Sequence, residues 1–441
     1  MGDLKMRVNW LSRSLVLSVV ALLVAAACAP GSTGGGSVKG GTVKLIGTWT
    51  GNEADSFMAV LQPFKDRTGI NVEFEGARDL DTILNTRVAA GSPPDLAAAP
   101  GPTLLSKFAQ QGKVVDLGKV LDMTKLKSDY AQVWIDLGTV NGKLVQVFSW
   151  AALKGLIWYN PKVFAAKGYK VPTTWDDMIA LQAKMKTDGT PTPWCITIES
   201  GGDSGWAGSD FHKEIALGTI GPDKYDQWWQ GKLKWSSTDI RSTFTTFGQV
   251  LGPGDSNVYG GANLIVNTNF GNVGDPMFQT PPKCGLVNQA SFITDFFAKS
   301  PSHPKIGEDF TFFPMPAPKS QYAGAYVGAA DAWSMFHDTP QARELLKYLV
   351  TPEAQSIWVK RGGKLSPNKS TNLADYPDDL TRSIAKILVD AKIFRYDAGD
   401  LMPSDMKHAY WKGIIAYIQN QNNLDQILSD LDKVQATAYT T

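Results

Sequence analysis

Cysteine is scarce in this 441-residue chain, with three, and histidine barely commoner, with four. The histidines (His212, His303, His337 and His408) show no metal-ligand spacing, so no zinc centre is expected, and no cofactor is assigned. No charge of either sign dominates: 43 basic side chains stand against 42 acidic ones, which excludes the basic surface that nucleic acid needs. Internal repeats and long charge runs are absent. Enzyme signatures are missing too. There is no Gly-x-Ser-x-Gly elbow, no phosphate loop ending in Gly-Lys-Ser/Thr, and no strand-placed Gly-x-Gly-x-x-Gly. Gly202-Asp203-Ser204-Gly205 looks like a serine-protease nucleophile turn, but Trp206 follows where a glycine belongs and every histidine comes after the serine. A paired-carboxylate glycosidase leaves no sequence signature and stays open as a rival reading. What is present is 43% apolar and 10% aromatic residues, enough for the cores of two or three domains.

The first 40 residues differ from the rest. Lys5, Arg7 and Arg13 precede an uncharged run from Leu15 to Ala27, too short to cross a bilayer and of the length of a signal-peptide core. It closes on Ala25-Ala26-Ala27-Cys28, which resembles a bacterial lipobox with Ala25 where Leu or Val is usual. The expectation is a signal peptide over 1–27, lipid on Cys28, and a flexible Gly/Ser-rich tether over 28–40; plain cleavage at Ala-x-Ala is the alternative. Lipidation would leave Cys195 and Cys284, an even pair that reads as one disulfide in an oxidising compartment or as two buried thiols.

Beyond Gly41, short apolar strands alternate with amphipathic helices. Val43–Ile46 reads as a strand. Phe57, Val60, Leu61 and Phe64 form a helical stripe that Pro63 should kink, and Ile70–Phe74 alternates as the next strand. Thr174 with Asp177 forms a capping box, and Thr339-Pro340 and Thr351-Pro352 each start a helix. Such alternation implies an α/β sheet protein with its ligand at strand C-terminal ends.

Ordered landmarks then accumulate: Thr48-Trp49-Thr50-Gly51-x-Glu53, Glu75-Gly76-Ala77-Arg78-Asp79, Ala90-Gly91-Ser92-Pro93-Pro94-Asp95, Lys154-Gly155-Leu156-Ile157-Trp158-Tyr159-Asn160, Pro193-Trp194-Cys195-Ile196, Gly205-Trp206-Ala207-Gly208-Ser209-Asp210, Gly328-Ala329-Ala330-Asp331, Gly362-Gly363-x-Leu365-Ser366-Pro367-Asn368 and Phe394-Arg395-Tyr396-Asp397. From about residue 47 to 415 the chain resembles the extracellular solute-binding proteins of ABC sugar importers, family 1, and within them the alpha-glucoside-binding subgroup. Ala329 departs from that subgroup's Gly-Gly-Ala-Asp, and His212-Lys213 from a bulkier, acid-rich segment. The resemblance implies an α/β, two-lobed periplasmic-binding-protein type II fold with an interlobe ligand cleft. It also implies a Cys195–Cys284 pair, and three chain crossings that divide lobe 1 (41–151 plus 329–363) from lobe 2 (152–328 plus 364–441). The implied role is extracytoplasmic and non-enzymatic: a monomer, anchored by lipid, that passes an oligosaccharide to membrane permease subunits. A peptide, polyol or polyamine ligand on the same fold is the other rival.

A sugar offers one apolar C–H face and a rim of hydroxyls, so tryptophan platforms beside carboxylates and cations suit it. The chain has 14 tryptophans, Trp10 among them in the leader. The candidate ligand residues are Trp49, Glu53, Arg78, Asp79, Asp95, Trp150, Lys154, Asp203, Trp206, Asp210, Asp331, Trp333 and Arg361. Trp158, Trp175, Trp194 and Trp358 read as core. Lys154 and Arg361 read equally well as partners in hinge ion pairs, Arg78-Asp79 as a solvated pair, and Asp95 as a helix cap.

Overall fold

The computed structural model describes residues 38–189, 192–391 and 393–439. The expected signal peptide, Cys28 and the expected tether as far as residue 37 lie outside the described residues. Among those described, no helix is long and apolar enough to cross a membrane.

Two sheets organise the chain, each covered by helices, and together they make a two-lobed α/β fold. In the first, β1 (Thr42–Gly47), β2 (Asn71–Gly76) and β3 (Leu96–Ala99) run parallel with β1 in the middle. All four residues of β3 are buried, as expected of a parallel strand covered on both faces. The crossover from β1 to β2 is α1 (Asn52–Thr68), which turns Phe57, Val60, Leu61 and Phe64 inward. The sequence predicts a kink at Pro63, yet α1 continues through it to Thr68. The ring removes one backbone donor, and the buried stripe on either side still holds the element together. After β2 comes α2 (Leu80–Ala89).

The chain leaves this sheet along β4 (Val147–Leu153) and turns at Lys154-Gly155 straight into β5 (Leu156–Tyr159), the first strand of the second sheet. Gly155 is required there: its φ is 69°, and a Cβ would stand 2.4 Å from the Glu214 carboxyl carbon. The second sheet adds β6 (Thr192–Cys195), β7 (Cys284–Asn288) and β8 (Thr311–Pro314) in the order β8-β5-β7-β6. The return strand β9 (Ala325–Met335) pairs antiparallel with β4 and β3 and parallel with β10 (Ile393–Tyr396). Leu365 closes the crossing region, exchanging backbone hydrogen bonds with Ala151 at 2.6 and 2.8 Å. The β4–β9 register shifts between Ala330 and Asp331, and Trp150 beside that shift sits at φ 48°, a left-handed conformation for a bulky residue.

Five further helices bear on the site. They are α3 (Trp175–Asp188), with the predicted Thr174–Asp177 capping box; α4 (Trp206–Trp229), bent at Gly221 before Pro222; α5 (Pro340–Leu349) and α6 (Pro352–Arg361), with Thr339 and Thr351 as caps; and α7 (Ser404–Gln419). The core around the second sheet gathers Trp194, Phe211, Ile215, Trp228, Met406, Tyr410 and Ile414 with Ile157 and Leu286, so α4 and α7 belong to that lobe. Cys195 and Cys284 form a disulfide that joins β6 to β7, with 5.5 Å between their Cα atoms.

His212, within α4, is wholly buried, its Nδ1 2.6 Å from the Tyr410 hydroxyl and its Nε2 2.8 Å from Thr243 Oγ1. Burial pushes its pKa down from 6.5 to about 3, and the neighbouring Lys213 charge acts the same way. In the unfolded chain the ring protonates near 6.5, so between the two values the unfolded state binds the extra proton. The contribution of His212 to stability is therefore intact above pH 6.5 and lost as the pH falls toward 3, by up to ~1.4 kcal/mol per unit. The His212 ring resonances are expected not to move between about pH 8 and about pH 5; a midpoint near the free value would show a solvated ring.

Candidate functional site

The C-terminal ends of the parallel strands point at one place. Thr48 and Trp49 follow β1, Arg78 follows β2 and Pro100 follows β3, and all four line a cavity of about 140 Å³. The facing wall comes from the start of α4, where Trp206, Asp210 and Lys213 recur at i, i+4, i+7 and so share one helical face. Gly205 allows this approach: with φ 102°, a side chain there would stand 2.6 Å from the Trp411 carbonyl oxygen of α7. The floor is supplied by the crossing strands, through Trp150, Ala152 and Lys154 from β4 and its turn, Ala329 to Asp331 from β9, and Lys364.

Charges meet in the cavity in two clusters. In the first, Glu53 lies 2.6 Å from Arg78 and 3.5 Å from Lys364, which in turn reaches Asp331 at 3.3 Å. Burial works to raise the Glu53 carboxyl, but Lys364 and Arg78 hold it below its usual value. Asp331 is pushed up to about 6, mainly by burial, against the pull of Lys364. The second cluster is deeper. Lys154 contacts Asp210 at 2.8 Å and Asp397 at 2.5 Å, while Lys213 contacts Asp210 at 2.9 Å and Asp397 at 2.5 Å. Burial would raise Asp397, yet the two ammonium groups hold its carboxyl far below the ordinary range. Asp400, beside this cluster, is pushed up to about 7 by burial and by the Asp397 charge. Aromatic surface fills the spaces between the charges: Trp206 packs edge-on to Phe270 at 4.8 Å, and the Arg78 guanidinium lies 5.6 Å from the Phe270 ring centre.

Of the residues singled out from sequence, Trp49, Glu53, Arg78, Trp150, Lys154, Asp203, Trp206, Asp210 and Asp331 all line this cavity. The other four sit elsewhere. Asp95 precedes β3, at the N-terminal end of the strand and so away from the cavity, where it accepts from the Lys44 backbone and meets His337 at 3.1 Å. Trp333 is fully buried inside the first lobe, its indole N–H donating to Ser149 at 2.6 Å. Arg361 is bonded to Ser56 and lines a neighbouring groove with Asp55 and Asp295. Asp79 stands at the N-cap position of α2 without a side-chain capping bond, and lies near Gly202. Sequence reasoning did not select Lys213, Lys364, Asp400, Trp411, Phe270 or Phe292. Lys364 occupied the unread position of Gly362-Gly363-x-Leu365, and Asp400 follows the Arg395–Asp397 landmark closely. The i, i+4, i+7 spacing from Trp206 to Lys213 was available as a signal.

Two lobes, parallel strand ends aimed at the seam, and an aromatic cavity with internally paired charges are the features of a solute-binding protein. A model of the family described as bacterial extracellular solute-binding protein matches residues 50–356. The osmoprotective compounds-binding protein of Synechocystis sp. is 35% identical over 417 residues, 94% of this chain and 97% of its own length. The alpha-glucosides-binding periplasmic protein of Rhizobium meliloti is 34% identical over 403 residues, 89% of this chain and 86% of its own. Among solved structures, a chitin oligosaccharide binding protein superposes with a TM-score of 0.79 at 17% identity, covering 91% of this chain and 100% of that one, a likeness of fold. This chain belongs to the bacterial extracellular solute-binding proteins.

Proposed function

We propose that the chain is the receptor of an ABC importer that captures a neutral oligosaccharide, an alpha-linked glucoside of two or a few units, and releases it to the permease. In this reading Cys28 carries the lipid that holds the protein outside the membrane, and the lobes 41–151 plus 329–363 and 152–328 plus 364–441 close on the ligand. The observation that carries it is the composition of the cavity. Trp49, Trp150, Trp206 and Trp411 supply apolar platforms, and among the described residues each lining lysine or arginine already has a carboxylate partner. An anionic ligand finds no free cation there, and a polyamine finds Glu53, Asp210 and Asp331 already paired with lysine or arginine, whereas a sugar needs only hydrogen bonds and flat apolar contact. The name of the Rhizobium meliloti relative supports the alpha-glucoside, and that of the Synechocystis relative keeps osmoprotective compounds among the ligands to test.

Intrinsic tryptophan fluorescence, titrated with maltose, sucrose, trehalose, maltotriose and glycerol, with spermidine and a dipeptide as controls, tests the proposal. Saturation by a glucoside that is recovered intact after prolonged incubation is expected; cleavage products would favour a glycosidase, and a response to a control alone would sink the sugar. Trp206→Ala is expected to weaken that binding roughly tenfold to a hundredfold, the worth of one aromatic platform, with the melting temperature nearly unchanged. Unchanged affinity would remove Trp206 from the site.

A further inference from the structure

One face of α7 carries Ser404, Lys407, His408 and Trp411, at i, i+3, i+4 and i+7. Its two ends do different things. At the N-terminal end Ser404 donates to the Asp81 carboxylate at 2.8 Å, and Lys407 reaches the same oxygen at 3.0 Å. Asp81 stands in the first turn of α2, which follows β2 of the first sheet, whereas α7 packs into the core of the second. The pair therefore spans the two lobes, and it is well shielded, with side-chain exposures of 10% for Lys407 and 12% for Asp81. Close by, Thr103 donates to the Asp400 carbonyl oxygen at 2.7 Å, a second bond between the same lobes. At the other end Trp411 lines the ligand cavity, and its buried indole N–H has no hydrogen-bond partner. Lys407 links the two ends, its ammonium lying 5.1 Å from the Trp411 ring centre.

We propose that Asp81, Ser404 and Lys407 form an interlobe clasp, and that Lys407 is a positioning residue which couples the clasp to the ligand wall through Trp411. With the lobes together, Asp81 fixes the Lys407 ammonium over the indole, and the indole is set against the cavity. With the lobes apart, Lys407 loses its carboxylate, and the cation that orients the Trp411 ring is free to leave it. Ligand contact with Trp411 and closure at Asp81 thus favour the same state, and either one raises the population of the other. The inference rests on the cavity being the ligand site.

Asp81→Asn and Lys407→Met in the full chain test it, using whichever sugar saturates the fluorescence titration. Both variants are expected to release that sugar roughly tenfold faster, with association within about twofold of the parent rate, because a buried cross-interface pair acts on dissociation. In a Trp411→Phe background the Lys407→Met effect should shrink, which a purely structural role for the lysine would not produce. Small-angle scattering provides a second readout that needs no ligand: Asp81→Asn should show a larger mean radius of gyration than the parent. Parent-like release rates, or a Lys407→Met variant altered only in melting temperature, overturn the clasp. If no sugar binds the parent, the sugar reading fails while the clasp is judged by scattering alone, where equal radii overturn it.

Discussion

Replacing Lys154 with Met is expected to cost about 3–5 kcal/mol of folding stability, the loss typical when one partner is taken from a buried ion pair. Lys154 is not one member of a simple pair but a corner of a four-membered ring with Asp210, Lys213 and Asp397, whose side chains are at most 9% exposed. Burial alone would depress its ammonium, but Asp210 and Asp397 keep it raised and charged. Methionine fills the space of the stem and supplies no charge, so two carboxylates would face only Lys213. The variant can relieve this by taking up a proton, so its deficit should narrow as the pH is lowered. Urea unfolding near neutral pH measures the effect. A second substitution, Asp210→Leu, leaves one lysine facing one carboxylate and should recover part of the loss, as a double-mutant cycle would show. A deficit below about 1 kcal/mol would mean that the ring is hydrated and carries little of the stability of the hinge.

Removing the disulfide is the other large effect. The cysteines stand 89 residues apart, and opening a loop of that size costs about 4–5 kcal/mol in the chain-entropy account. The bond joins the end of β6 to the start of β7, so the loss should fall on the second sheet and the α4–α7 core behind it. Cys195→Ala with Cys284→Ala should lower the urea midpoint relative to the oxidised parent, and reductant should shift the parent toward the variant while leaving the variant unmoved. Identical midpoints for parent and variant would show that the link adds nothing to folding.

Residues whose position follows from local rules were readable in the sequence, and those placed by tertiary contact were not. Thr48-Trp49 and Arg78 come directly after strands that announce themselves by alternation, and the rule that ligands gather at parallel strand ends puts them at the cavity. The same rule, applied with the strand's direction, would have set Asp95 aside, since it enters β3 rather than leaving it. Trp333 shares a strand face with the cavity-lining Asp331, two residues earlier on β9, but its ring is taken up by packing on Trp49, Phe57 and Trp150 and its indole N–H by Ser149, contacts that no local pattern announces. Lys364 carried no signal, because a buried lysine is made tolerable by acids far away in sequence, here Glu53 and Asp331; Lys213 had one local clue, Asp210 three residues earlier, while its other partner, Asp397, is far away. Trp411 lies on α7, which packs into the core of the second lobe, and the close approach of α7 to Gly205 brings it to the cavity.

The first sheet draws strands from 42–99, 147–153, 325–335 and 393–396, so no continuous piece of the chain contains it. A polypeptide emerging N-terminus first can assemble β1, β2 and β3, but β9, which joins that parallel unit to β4 and β10, arrives only after the whole second sheet has been made. Pairings over such separations are slow to form because the intervening loop must first be closed. Completion of the first sheet is thus delayed until Ile393–Tyr396 has been synthesised. In a family described as extracellular, that order leaves the first sheet, and with it the hinge, unfinished while the second sheet is being made.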